Sequence, residues 1–523
     1  MTPYEEGSPS APICLLGEAP STEEMRQGRP FCGPSGRILD ELLAQAGIGR
    51  QDCYITNCYE APVRKDIMGK VKEQPSGLFV DRLKACQANI MVPLGNIALG
   101  LVAPATKGAI GKWRGSIIPG LDGRKTMATY HPATVVWGNT QARHIIATDL
   151  VRAKSQRTFS EFRLNQRLLH TEPTFKQVID YLEYCLTLRT HIFWDVELYA
   201  GCLSAISFAH SPYESMSIPF INENRQNWWT PEQEFIIFCL IGRLLADPRI
   251  PKGNQNISFD IWIMWQLYGM ATKGRLDDPM ILHSKVFPDF DKGLDFQCSW
   301  LTDQPYYKDD GGSRLWADPW KDLKRFWRYS ALDACIALES FQALQKDYLQ
   351  PGSPWATSYE NTLSLIEPLV FMEMRGMKVD LPGFRQERKR LEAQLVLKEA
   401  ELAELAPNLN YGSPKQCVDF FYTNAGVNPY VNRKTGKPTT DDLALSRLAR
   451  KGVKAASLVL ECRGIKKAMG NYEEVKTAGG RLHCSYNICG AKTDRLSSSA
   501  TVFGHGGNMQ NLPGEFLNFL EAD

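Results

Sequence analysis

Two interruptions in hydrophobic periodicity decide what this chain can fold into, because each ends one apolar pattern before another begins. The first, 152–173, is the polar and basic run RAKSQRTFSEFRLNQRLLHTEP, and the second, 349–358, carries Pro351, Gly352, Ser353 and Pro354 between two helical patterns. A chain of 523 residues so divided is expected to form about three domains with boundaries at 1–160, 174–350 and 359–523. Its 43% hydrophobic and 23% charged residues are those of an ordinary globular protein, which excludes collagen-like, coiled-coil and largely disordered chains. The 60 Lys and Arg against 58 Asp and Glu leave a net charge of +2, so a nucleic-acid partner must be argued from motifs rather than from bulk charge.

The N-terminal residues carry Glu5 and Glu6 and lack a basic segment followed by an apolar one, so no export signal is expected. The apolar stretch Phe235 to Leu245 is shorter than the ~20 residues of a membrane span and contains Arg243; it reads as a buried helix or strand, and no membrane association is expected. Fourteen cysteines are scattered without any C-x-x-C pair, which suits buried free thiols in a reducing, cytoplasmic setting. All three blocks alternate strand and helix patterns or are helical. The first has apolar runs at Ile13 to Leu16 and Ile90 to Leu94 around a helix at Arg37 to Ala46. The second opens with runs at Ile192 to Trp194 and Leu203 to Phe208. The third has a long amphipathic helix at Phe384 to Leu405 and a strand-like end at Arg481 to Ile488.

In the second block, Asp195 and Glu197 lie two apart in the run IFWDVE, which on a strand sends both side chains to one face. Asp260 follows Asn256 and Phe259 in NISFD, and Tyr329 and Asp333 are spaced by four in YSALD, one face of a helix. Four carboxylates and a phenol gathered together demand cations, and hard divalent ions prefer such oxygen ligands. Two ions about 3.5 to 4 Å apart activate water and stabilise the leaving oxygen of a phosphodiester. In order and context these motifs resemble the DEDD-type 3′-5′ exonuclease domain in its tyrosine variant, a ribonuclease H-like α/β fold. The resemblance implies Asp195, Glu197, Asp260 and Asp333 as ligands of two Mg²⁺ or Mn²⁺ ions, and Tyr329 as the group that orients water.

In the third block, LIEPLVFMEMRGMKVD at 365–380, LNYGSPKQ at 409–416, TDRLSSS at 493–499 and NMQNLP at 508–513 resemble the thumb and the start of the palm of family A DNA polymerases. Ser413 and Pro414 have the form of a cap and first turn of a helix. The resemblance implies that Arg495, Gln510 and Asn511 contact primer-template DNA; Asp494 stands where the family usually has glycine. The family's metal-binding aspartates and nucleotide-gripping helix lie downstream of the N-L-P segment, and residues 514–523 do not hold them. The chain alone is therefore expected not to extend DNA, either as one part of a split polymerase whose palm and fingers come on a second polypeptide or as a truncated one.

In the first block, Gly17-Glu18-Ala19-Pro20, GRPFCGPSGRIL at 28–39, YITN at 54–57, LGNIAL at 94–99 and TYHPA at 129–133 resemble, in that order, family 4 uracil-DNA glycosylases and their superfamily, an α/β/α fold. Excision of a base requires flipping it into a pocket that reads its edge. The resemblance implies that Phe31 stacks on the base, Asn57 bonds the uracil edge, His131 stabilises charge on the departing oxygen, and Glu18 or its loop positions water. Family 4 members carry an iron–sulfur cluster on four cysteines, two of them ahead of the first motif. Here residues 1–13 contain none, Cys86 alone sits near an expected ligand position and Ala61 stands where another is usual, so no iron–sulfur cluster is expected. Ser21 and Ala133 also depart from the common Gly and Ser. Three roles stay open for this domain: excision of uracil, non-catalytic binding of uracil or DNA, and extension of a DNA-binding surface.

Together these resemblances imply a multi-domain α/β replication and repair protein of a bacterium or a phage-infected cell, acting on primer-template and single-stranded 3′ ends of DNA. The alternatives are a stand-alone uracil repair factor and a non-catalytic DNA clamp or scaffold for a polymerase partner.

Overall fold

The computed structural model describes residues 4–63, 71, 74–308, 322–424, 428–432, 436–473, 477–512 and 514–522. The chain forms two compact units, one of Met1–Glu367 with Lys492–Asp494 and one of Pro368–Ala491 with Arg495–Asp523. The first two expected domains thus share one unit, each with its own sheet.

The first sheet contains β1 (Glu5–Glu6), β2 (Ile13–Gly17), β3 (Cys53–Asn57), β4 (Ile90–Pro93), β5 (Ile117–Pro119) and β6 (Lys125–Met127) in the order β1-β3-β2-β4-β6-β5. Its centre, β3-β2-β4-β6, is parallel. The strand period sorts the run ICLL onto two apolar layers. Ile13 and Leu15 pack with Leu39, Leu42 and Ile146 on one side, while Cys14 and Leu16 pack with Phe79, Ala98 and Val102 on the other. Both faces are covered, as a parallel sheet requires.

The second sheet takes its edge strand β7 (Leu168–His170) from within the polar segment, ahead of residue 174. β8 (Ile192–Tyr199), β9 (Cys202–Ser211), β10 (Glu214–Pro219), β11 (Lys252–Gly253) and β12 (Leu276–Asp277) complete it in the order β12-β11-β8-β9-β10-β7. The 26-residue helix Leu323–Tyr348 packs across it, with Ser330 Oγ 2.6 Å from Ser207 Oγ and Ser215 Oγ donating to Ala331 O at 2.7 Å. The helix Pro231–Ala246 buries Ile237, Ile241 and Leu244, but Phe235 and Ile236 face outward, so the run expected to be buried is amphipathic. Among the described residues no helix is long and apolar enough to cross a membrane.

The other unit is built on the helices Leu381–Leu405 and Lys454–Met469. β13 (Met377–Val379), β14 (Thr477–Ala478), β15 (Arg481–Leu482) and β18 (Leu520–Glu521) form an antiparallel sheet, and β16 (Ser485–Asn487) pairs with β17 (Ser497–Ser499). Phe384, Tyr472 and Phe516 centre one apolar core, with Phe384 and Phe516 ring centroids 4.9 Å apart; Leu445, Val459 and Phe421 centre another. Ser413 caps the short helix Pro414–Val418 by accepting from Gln416 N–H, as its sequence predicts.

Candidate functional site

Asp195 and Glu197 occupy β8 at alternate positions and pair with Ser207 and Ala205 of β9, the register shifting directly after Glu197. Asp333 comes from the helix Leu323–Tyr348. One carboxylate oxygen from each of Asp195, Glu197 and Asp333 lies within 4.8 Å of the others. Asp260, in the first turn of the helix Ile257–Tyr268, accepts from Val196 N–H at 3.0 Å through Oδ1 and from Asn254 Nδ2 at 2.9 Å through Oδ2. Asn254 Nδ2 also donates to Asp195 Oδ1 at 3.0 Å, so one amide ties two carboxylates together. Tyr329, one turn before Asp333, shares a neighbour with it: Lys308 Nζ donates to Tyr329 Oη at 2.9 Å and to Asp333 Oδ2 at 2.6 Å, and Tyr307 Oη donates to Asp333 Oδ1 at 2.6 Å.

All five expected residues are therefore in one place. Asn254, Tyr307 and Lys308 are additions. Asn256, singled out by its sequence context, instead adopts a left-handed conformation (φ 62°) that starts the helix carrying Asp260. The N–H of Ile257 beside it donates to the buried Asp278 carboxylate at 3.2 Å.

Glu197, Asp260 and Asp333 are buried and Asp195 is half-buried, and the low dielectric disfavours the charged forms of Asp195, Glu197 and Asp260. Asp195 is pushed up to about 7, first by burial and then by Asp333. Glu197 and Asp260 are pushed well above the usual carboxylate range, first by burial and then by Asp195. Glu197 Oε2 is buried and makes no hydrogen bond. A divalent cation fits this donor set: hard oxygens, excess negative charge and an unpartnered carboxylate oxygen.

The shift of Asp195 has a sign that can be measured. Its folded value of about 7 lies above the ordinary 3.8, so the folded chain holds the extra proton across that window and loses stability as pH rises through it. With a chelator present, the melting temperature of the chain is expected to fall as pH is raised from about 5 to about 8. Divalent cation should restore it at the upper end, and Asp195→Asn should flatten the fall. A chelated wild type whose melting temperature rises through this range would contradict the assignment.

The second candidate site gathers at the carboxyl ends of the parallel strands, where open α/β sheets place their ligands. Glu18 follows β2, Asn57 ends β3 in register with Gly17, and His131 follows β6. The Glu18 loop is fastened to β3's continuation, with Cys58 N–H donating to Gly17 O at 3.1 Å and Tyr59 N–H to Glu18 O at 3.0 Å. Phe31 is buried with a left-handed backbone (φ 49°), its N–H bonded to the Glu24 carboxylate and its ring stacked on His131 at a centroid distance of 5.8 Å. Gly36, in the helix Pro34–Gln45, lets that helix approach: a Cβ there would meet Phe31 O at 1.8 Å.

Asn57 is 1% exposed, and its Nδ2 has no partner among the described residues. Gly17 lets both side chains approach its backbone: a Cβ at that position would meet Asn57 Oδ1 at 2.3 Å and Phe31 Cζ at 2.7 Å. His131 Nδ1 accepts from Ala133 N–H at 3.1 Å, which leaves the proton of the neutral ring on Nε2. The cysteines of this domain, Cys14, Cys32, Cys53, Cys58 and Cys86, form no group of three or more sulfurs at metal-ligand spacing among the described residues, so the donor set does not fit a four-thiolate cluster.

In the other unit, Arg495 precedes β17, and Gln510 and Asn511 lie on the turn Met509–Asn511; all three are exposed. The two pieces are joined by Ser498 Oγ donating to Asn508 Oδ1 at 3.2 Å, and Asn508 Oδ1 also accepts from Gln510 N–H at 3.1 Å. Asp494 has φ 57°, the conformation for which glycine is the usual residue and which Asp tolerates better than most.

The profile of the uracil DNA glycosylase superfamily matches residues 4–162, that of the 3′-5′ exonuclease residues 196–348, and that of DNA polymerase family A residues 382–517. The type-4 uracil-DNA glycosylase of Thermotoga maritima is 34% identical over 153 residues, covering 29% of this chain and 80% of that protein. DNA polymerase I of Pseudomonas aeruginosa is 29% identical over 326 residues, 59% of this chain and 34% of the polymerase. The DNA polymerase of Bacillus phage SP01 is 22% identical over an alignment of 589 residues, 94% of this chain and 62% of the phage protein. The chain thus spans about a third of the length of this polymerase I and under two thirds of that of the phage polymerase. The chain thus carries a domain of the uracil DNA glycosylase superfamily, followed by a 3′-5′ exonuclease domain and a region that matches DNA polymerase family A.

Proposed function

We propose that the second domain is a Mg²⁺- or Mn²⁺-dependent 3′-5′ exonuclease that removes nucleotides from DNA ends, with Asp195, Glu197, Asp260 and Asp333 holding the ions and Tyr329 orienting water. The observation that carries this reading is the convergence of one carboxylate oxygen each from Asp195, Glu197 and Asp333 within 4.8 Å of one another, beside the buried, unpartnered Oε2 of Glu197 itself. Bound ions supply the Lewis acidity that activates water and stabilises the leaving oxygen. The protein's part is geometric. β8 fixes two carboxylates, Asn254 ties Asp195 to Asp260, and the long helix brings Asp333 and Tyr329 together. The test is degradation of a 3′-labelled oligonucleotide by the purified chain, dependent on added Mg²⁺ or Mn²⁺ and abolished by chelator; no degradation with either ion would end the reading.

The first domain is assigned uracil recognition, on the buried, unpartnered Asn57 amide, which shares its contact at Gly17 with the Phe31 ring that stacks on His131. In this reading Asn57 bonds the uracil edge, Phe31 stacks on its face, Glu18 and its loop position water, and the Nε2 proton of His131 is directed at a base oxygen. Gly17→Ala is expected to displace Asn57 and Phe31, and Asn57→Ala to lower binding of uracil-containing over thymine-containing single strands by roughly ten- to a hundredfold, as loss of a buried hydrogen-bonding edge predicts. Fluorescence anisotropy measures the ratio, and free-uracil release measures excision. Equal ratios for wild type and Asn57→Ala would reject the pocket. Arg495, Gln510 and Asn511 are assigned to primer-template contact, for which their exposure on adjoining segments is the support.

A further inference from the structure

Tyr307 and Lys308 reach the acidic cluster from a segment that the first domain holds in place. The helix Leu294–Leu301 docks on Arg114, whose Nη1 donates to Ser299 Oγ at 2.8 Å and whose guanidinium lies 4.8 Å over the Phe296 ring. Past the helix, Arg152 Nη2 donates to Thr302 O at 2.6 Å and Asn165 Nδ2 to Asp303 Oδ2 at 3.1 Å. Tyr306 N–H then donates to Ser116 Oγ at 3.1 Å, and its ring meets Trp113 edge-on at 5.4 Å. Arg114, Arg152, Ser116 and Trp113 all belong to the first domain. The next two residues, Tyr307 and Lys308, spend their hydrogen bonds on Asp333 and Tyr329.

We infer that Tyr307 and Lys308 are positioning residues of the exonuclease site, and that the first domain sets their placement through the strap 299–308 and so acts as a structural part of the nuclease. The inference rests on the exonuclease reading. Chemically, the two residues occupy both oxygens of Asp333, which fixes the plane of that carboxylate. Lys308 also donates to the Tyr329 oxygen, so one ammonium links the phenol to the carboxylate. Its ammonium is at the same time a resident cation at Asp333, with which a divalent ion must compete for negative charge. Removing it therefore has two opposed consequences: cations bind more readily, and the carboxylate and phenol are less well aimed.

The test uses the full chain, a 3′-labelled single-stranded oligonucleotide and the cleavage rate as a function of Mg²⁺ concentration. Lys308→Met is expected to lower the Mg²⁺ concentration for half-maximal rate roughly fivefold, by removal of one competing charge. It should also lower the rate at saturating Mg²⁺ about tenfold, by loss of alignment. Lys308→Arg should return both values toward wild type. Ser116→Ala, in the first domain and outside the acidic cluster, should shift both in the same directions by about twofold, as one lost hydrogen bond at the strap allows. Trp113→Ala should do so more strongly, and melting curves identify any variant that has lost its fold. If Trp113→Ala does not fold, Ser116→Ala alone decides. The inference is overturned if Lys308→Met leaves the Mg²⁺ dependence unchanged, or if folded first-domain variants match wild type at every Mg²⁺ concentration. A wild-type chain with no nuclease activity would instead defeat the exonuclease reading itself, a different outcome.

Discussion

Asp195→Ala is expected to lower 3′-end degradation by about 10³-fold or more while leaving single-strand binding within about twofold, since ion-assisted charge stabilisation is worth several kcal/mol in the transition state and little in binding. Asp195 supplies one of the three convergent carboxylates and is the acceptor through which Asn254 links it to Asp260, so its loss removes one carboxylate of the cluster and loosens another. Asp333→Ala should be as severe, because Tyr307 and Lys308 both lose their acceptor. Asn254→Ala should fall between these and wild type, at about 10- to 100-fold, because it orients two carboxylates of the cluster without adding one. Gel analysis of the labelled strand measures the rates and a binding isotherm in chelator measures the affinity. If Asp195→Ala retained the wild-type rate, the carboxylate cluster would not be the nuclease centre.

The second large effect concerns stability. Arg114 and Asp149 form an ion pair with side-chain exposures of 3% and 0%, Nη2 to Oδ1 at 2.5 Å and Nε to Oδ2 at 3.2 Å. Thr129 Oγ1 also donates to Asp149 Oδ2, at 2.6 Å. Asp149→Ala strands a buried guanidinium and a buried hydroxyl, and is expected to destabilise the first domain by about 3–5 kcal/mol. Arg114→Leu with Asp149→Leu should cost distinctly less, because no charge is left unpaired. Urea unfolding followed by tryptophan fluorescence, with limited proteolysis to assign the first transition, checks both. Equal destabilisation by the single and double changes would mean that packing, not charge, sets the cost. Because Thr129 lies two residues before His131, and Arg114 grips Ser299, Asp149→Ala should also weaken uracil discrimination and loosen the strap that reaches Asp333.

Some of the candidate sites could be read directly from spacing. Asp195 and Glu197 face one way because a strand repeats every two residues, and Tyr329 and Asp333 because a helix returns after about four. The run ICLL was legible as a strand, and apolar residues on both of its faces require the cover on both sides that the sheet has. The choice of Asn256 over Asn254 was not decidable that way: both are amides in the same short segment, and only the turn into the helix Ile257–Tyr268 sends the Asn254 amide to the carboxylates while Asn256 supplies the left-handed backbone at the helix start. Phe31's left-handed backbone and the His131 proton on Nε2 likewise depend on a carboxylate and an N–H supplied by neighbouring turns.

What the amino-acid order determined by itself is therefore local: which side chains share a strand or helix face, where apolar layers begin and end, and which motifs follow one another. Tertiary structure decided what depends on long-range docking. It placed the first two domains in one unit and drew residues 299–308 along Arg114, Ser116 and Arg152. It also delivered Tyr307 and Lys308 to a carboxylate some 25 residues further along the chain. The physical reason is that periodicity is a short-range property of the backbone, whereas the partner of a buried charge is fixed only when separate elements close around it and water is excluded.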